Sequence, residues 1–85
     1  MRHLVYIFED KSHILRIGLS SDIRKCTSSN SEDERLVYLR LFLEPFDAVA
    51  HKHMLDDLSV ETVRHIIYKH REITDVLMKT LSTAY

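Results

Sequence analysis

The sequence predicts an α/β (α+β) domain: a three-stranded, mostly antiparallel sheet with helices packed on it, in the order β-β-α-β-α-α-α. Three observations carry this. Two short apolar runs, residues 4 to 8 and 14 to 19, flank the polar residues Asp10, Lys11, Ser12 and His13, the pattern of a β-hairpin. Residues 35 to 42 alternate in part, as a strand does. From Glu44 onward, apolar residues recur at helical spacing. With 85 residues, 45% of them hydrophobic, the chain is one domain (residues 1–85) with a small core.

The elements follow in order. After the hairpin, Ser21 or Asp22 can cap a short helix through Ile23, Arg24, Lys25 and Cys26. Residues 27 to 33 are polar and serine-rich and read as a loop. In the third strand, Leu36 and Tyr38, with Arg40, fall on one side and Val37, Leu39 and Leu41 on the other. Pro45 opens a helix, since its missing N–H costs nothing in the first turn. That helix reaches about Asp57, with Phe46, Val49, Ala50, His53 and Met54 as its stripe. Ser59 caps the next helix, whose stripe is Val60, Val63, Ile66 and Ile67. His70 and Arg71 interrupt the pattern weakly. An extra C-terminal helix of about residues 72–82 then carries Ile73, Val76, Leu77 and Leu81. This last stripe either packs back on the domain, the favoured reading, or forms a homodimer or partner surface.

Composition narrows the function. The net charge of −1 argues against strong non-specific nucleic-acid binding, which rests on basic residues releasing counterions. It still allows a local basic patch. The single cysteine, Cys26, excludes an intramolecular disulfide and a cysteine-rich zinc site. The apolar runs are too short to cross a bilayer, and no cleavage-site pattern follows the N-terminus, so no membrane partner and a cytoplasmic location are expected. The six histidines include no pair spaced i, i+4, as a helical zinc motif needs. His51 and His53 are two apart and His65 and His70 five apart, so structural histidines are the better reading. Arg24 and Lys25 beside Cys26 would lower a thiol pKa, but no base partner is visible, and a small helix residue is the better reading.

Gly18 is the only glycine in the chain. A lone glycine inside a strand marks a bulge or a place where another backbone or a ligand comes close. It ends the triplet Arg16-Ile17-Gly18, and the preceding run holds Leu4-Val5-Tyr6. This layout resembles the GIY-YIG nuclease superfamily, and most closely its small stand-alone members related to the nuclease domain of the excinuclease. Tyr6 falls on the tyrosine of the first signature triplet. Ile17 and Gly18 fall on the last two residues of the second, and Arg16 stands where that triplet has tyrosine. The stretch from Ser20 through Lys25 looks like the family's Thr/Ser-Asp-hydrophobic segment. Leu36-Val37-Tyr38 with Phe42 looks like its third strand. Ala48, Leu55, Leu58 and Ser59 fit the following helix and its stop. The resemblance covers residues 3 to 67.

The resemblance implies a one-metal phosphodiester hydrolase in active members. There a tyrosine assists deprotonation of water, an arginine steadies the phosphate charge and a glutamate holds the metal. Carried over, Tyr6 is retained as a catalytic remnant, Cys26 stands at the arginine position and Lys52 at that of the glutamate. An ammonium group cannot ligate Mg²⁺. Arg16, Arg24, Lys25 and Lys52 are therefore expected to converge as a nucleic-acid or anion site, with no cofactor. The alternatives left open are an active endonuclease with a rearranged site using Mg²⁺, and a pure protein-interaction module. Tyr6 also reads equally well as a core residue with its hydroxyl at the edge.

Overall fold

A computed structural model describes residues 3–22 and 33–83 of the chain. Strands β1 (His3–Asp10), β2 (Leu15–Ser20) and β3 (Glu34–Phe42) form one sheet in the order β2-β1-β3, with both pairings antiparallel. Helices α1 (Pro45–Asp57) and α2 (Val60–Thr83) follow. The fold class is as predicted, an α+β domain with a three-stranded sheet. The order among the described residues is β-β-β-α-α. The expected short helix through residues 23–26 and most of the serine-rich loop lie outside the described residues.

The β1–β2 turn works without glycine. The Asp10 carboxylate accepts the N–H groups of Ser12 (2.8 Å) and Ile14 (3.0 Å), and His13 takes the left-handed conformation at φ 64°. A short polar side chain that hydrogen-bonds its own turn offsets the cost of that conformation. Arg64 of α2 also donates to the His13 carbonyl, so the turn is fastened to the start of a helix 51 residues on in sequence.

Both faces of the sheet are apolar. On one, Val5, Ile7 and Tyr38 pack against Ala48 and Leu55 of α1 and Val63 of α2. On the other, Leu4 and Leu39 pack with Leu81, and Tyr6, Leu36, Leu77 and Met78 join them. A single helix serves both. The two C-terminal helices expected from the sequence are one continuous α2 of 24 residues, which His70 and Arg71 do not break. It begins over the first face, passes the outer edge of β3 and ends under the second. At the crossing, the Leu39 N–H donates to the Thr74 hydroxyl at 3.2 Å, which satisfies a backbone donor that an edge strand leaves open. Leu77 and Leu81 thus pack within the chain. Ile73 and Val76, expected beside them, face outward.

Two details of patterning differ from the sequence reading. A bulge between the partners of Ile7 and Phe8 leaves Val37 unpaired. Leu36 therefore joins Leu39 and Leu41, while Val37 joins Tyr38. On α1 the expected stripe is the exposed one: Phe46, Val49 and Met54 face outward, and Ala48 and Leu55 are buried. Ala48 carries only a methyl group and lets the helix approach the sheet. The Tyr38 hydroxyl then meets His51 Nε2 at 2.8 Å and fixes the helix rotation. Ser59 caps α2 as expected, accepting the Thr62 N–H at 3.2 Å.

Glu9, nearly buried at the end of β1, ties three elements together. It accepts Arg64 Nη1 at 2.6 Å and Arg35 Nη2 at 3.3 Å. The Arg64 hydrogen bond, opposed by burial and aided by Arg35, holds its carboxyl below its ordinary value of 4.5. His51 and His70 shift the other way in charge terms. Burial, then the Arg40 charge, hold both imidazoles below 6.5, and His70 adds to the effect on His51. The unfolded chain binds protons near pH 6.5 that the folded chain refuses, so this stability is complete above 6.5 and lost as pH falls below it. Chemical denaturation should therefore show a midpoint that drops between about pH 7 and about pH 5.5, and the drop should shrink in His51→Gln and His70→Gln. Glu9 acts only in a lower window, since its contribution is present above 4.5 and lost below it.

Candidate functional site

The β1–β2 register sorts the signature residues by face. Tyr6 lies opposite Gly18 and Phe8 opposite Arg16, so all four share the face that holds Leu4 and Leu39. Ile17 lies opposite Ile7 and packs into the other face, as a core residue. A Cβ added to Gly18 would sit 2.4 Å from Cζ and the hydroxyl oxygen of Tyr6. The group that requires the glycine is therefore the Tyr6 ring, which lies flat across the neighbouring strand. Phe8 meets that ring edge-on, with centroids 5.3 Å apart.

Arg16 completes the surface. Its guanidinium stands 5.0 Å from the Phe8 ring centroid and forms a two-point fork with Glu34, Nε to Oε2 at 3.0 Å and Nη2 to Oε1 at 3.2 Å. That hydrogen bond raises the Arg16 pKa further above its ordinary value, with a contribution from the neighbouring Tyr6 hydroxyl. A guanidinium, a phenol and a carboxylate thus meet on one side-chain surface. The first two present N–H and O–H donors to an oxyanion, and Glu34 is the internal acceptor that such an ion would displace.

Lys52 is not part of this surface. It is carried by α1, the helix on the opposite face, and its Nζ pairs with Asp56 at 2.7 Å. The expected meeting of Arg16 with Lys52 is therefore not formed. The turn of α1 that buries Ala48 and Leu55 against Val5 and Ile7 carries Lys52 with it. Arg24, Lys25 and Cys26 lie outside the described residues. No group of three His, Cys, Asp or Glu side chains able to hold a metal ion occurs among the described residues. Glu34 is the residue that sequence reasoning missed, because the third strand was expected to begin one residue later. Regular pairing would match Asp10 to Arg35, and it is the extra residue of the bulge in β3 that carries the strand back to Glu34.

No known protein family's sequence profile matches the chain, and no curated protein does. The fold matches a solved structure. The solution NMR structure of the UPF0213 protein BH0048 from Bacillus halodurans superposes with a TM-score of 0.68, covering 84% of this chain and 87% of that one at 23% identity. What the two share is the fold: three antiparallel strands followed by helices.

The contact between Gly18 and Tyr6 has a measurable consequence. Gly18→Ala should destabilise the fold by about 1–3 kcal/mol, the usual range for overpacking. In a Tyr6→Leu background, where the overlapping ring atoms are gone, the same substitution should cost less. A double-mutant cycle on denaturation midpoints measures the difference.

Proposed function

We propose that this chain is a GIY-YIG-like domain that has lost metal-dependent phosphodiester hydrolysis and serves as an anion-binding module, contacting nucleic-acid phosphates through its Arg16 face. The observation that carries this reading is the placement of Arg16. At the position where the resembled family has a tyrosine, a guanidinium stands beside the Tyr6 hydroxyl and the Phe8 ring. Such a group binds a phosphate oxygen directly, with no metal bridge. Lys52, at the position of the family's metal-holding glutamate, is an ammonium engaged with Asp56. Tyr6 keeps the place of the catalytic tyrosine, and its ring supports the surface. Binding is modest by this account, because Glu34 already holds Arg16 and the phosphate must compete with it.

Two measurements test the reading. Branched, nicked and single-stranded DNA should survive incubation with Mg²⁺ or Mn²⁺. Robust cleavage that disappears in Tyr6→Phe would reinstate the nuclease. Single-stranded DNA should bind at low salt equally well in EDTA, and Arg16→Ala should weaken that binding by about tenfold, the worth of one charge-assisted hydrogen bond. Glu34→Gln, which removes the competing charge, should tighten it. A second reading, a protein-interaction module, is favoured by the outward Ile73 and Val76 on α2. It predicts a concentration-dependent mass in sedimentation that Val76→Glu reduces.

A further inference from the structure

Where α1 and α2 pass over the end of β3 they leave a groove of about 300 Å³, lined by Tyr38 and Arg40 from β3, His51 from α1, and His65, Lys69 and His70 from α2. Its charge is one-sided. It contains one arginine, one lysine and three histidines, and no carboxylate lines it. Several other cations among the described residues are answered, Arg16 by Glu34, Lys52 by Asp56, and Arg64 and Arg35 by Glu9, while Arg71 rests on the Tyr68 ring. Arg40 and Lys69 have no ion pair among the described residues. Arg40 rests on the Phe42 ring, 5.1 Å from its centroid, and reaches the Tyr38 hydroxyl.

The imidazoles bear the same mark. His70 Nε2 is buried without a hydrogen-bond partner, a cost that a folded chain rarely leaves unmet. His51 accepts or donates to the Tyr38 hydroxyl through Nε2, and both rings pack against Tyr38, His51 at 6.0 Å and His70 at 4.9 Å between centroids. The Arg40 charge disfavours protonation of both, and at His70 a hydrogen bond to the Leu39 backbone works against it.

We propose that this groove binds a phosphate dianion, in the form of a terminal phosphomonoester. Two fixed charges, Arg40 and Lys69, match the double charge of a monoester and exceed the single charge of an internal phosphodiester. Arg40 supplies the planar fork, Lys69 a point charge, and the imidazoles further N–H donors as they gain protons. The groove and the Arg16 surface lie on different faces of the sheet, since Arg40 pairs with Val5 and Arg16 with Phe8. The site therefore stands independently of the reading given for Arg16.

The test is an NMR titration of the full chain, following the imidazole resonances, with three probes: inorganic phosphate, a nucleoside 5′-monophosphate and an oligonucleotide without a terminal phosphate. The first two should shift His51 and His70 and raise the pH at which they titrate. The third should leave them unmoved. Lys69→Gln and Arg40→Gln, both at exposed positions, should each weaken phosphate binding by about tenfold or more. The phosphate-induced shifts of the His51 and His70 resonances should be the same in Arg16→Ala, which separates this site from the Arg16 surface. Histidine resonances that ignore phosphate overturn the proposal. So does unaltered binding in both Gln variants, or an oligonucleotide without terminal phosphate that binds the groove as well as the monoester does.

Discussion

The structure depends on how α2 passes the edge of β3. A three-stranded sheet with apolar side chains on both faces needs cover on both, and a single helix provides it by running around the side of the sheet. An edge strand with open backbone donors is a poor surface for a helix to cross. Thr74 resolves this: its hydroxyl takes the Leu39 N–H and leaves its methyl group for packing. Thr74 and Leu39 are 35 residues apart in sequence. On one side of that contact α2 contributes Val63, Ile66 and Ile67, and on the other Leu77, Met78 and Leu81. Each fully buried leucine of the second cluster is worth roughly 1.5–3 kcal/mol. Leu4, Leu39 and Leu81 together are therefore comparable with the net stability of a small domain.

The two faces then take different chemistry. The face under α1 and the first half of α2 holds the Tyr38–His51 and Tyr38–His70 contacts and the groove between the helices. The other carries Tyr6 across Gly18, with Arg16 and Glu34 beside them. β1 separates the two sets by the alternation of its side chains, so one eight-residue strand supplies Tyr6 and Phe8 to one surface and Val5, Ile7 and Glu9 to the other. Glu9 is nearly buried and charged, which is tolerable because two guanidinium groups and the backbone of a fastened turn surround it.

Much of this was legible in the sequence, and the exceptions have physical causes. The hairpin followed from two apolar runs around a polar turn, and the start of α2 from Ser59. Gly18 signalled a close approach, expected of a backbone or a ligand, and the neighbour is instead the aromatic ring of Tyr6. The interior rotation of α1 was not legible. Its larger apolar residues face outward, and a small residue, Ala48, with the polar His51 sets the contact, so hydrophobic spacing pointed to the wrong side. The division of the C-terminal half into two helices failed because His70 and Arg71 interrupt the apolar pattern only where α2 passes from one face of the sheet to the other, a crossing held by Thr74, which is polar but buried. Its role is visible only once an edge strand stands next to it. The Arg16–Lys52 convergence failed for another reason: the β1–β2 register turns Arg16 to the face of Tyr6 and Phe8, and α1, which carries Lys52, packs on the other.

The bulge at Val37 decides which charges meet. Regular pairing beyond Ile7 would put Val37 opposite Phe8, Leu36 opposite Glu9 and Arg35 opposite Asp10. The extra residue shifts the phase of the strand by one, so Arg35 comes level with Glu9 and Glu34 with Asp10. Only in that phase does Glu34 reach the face of Arg16 while Arg35 reaches the face of Glu9. A single unpaired residue thus acts as a sorting device. It delivers two consecutive residues of opposite charge to opposite sides of the sheet, each beside the partner that neutralises it, and it keeps a leucine away from a buried carboxylate.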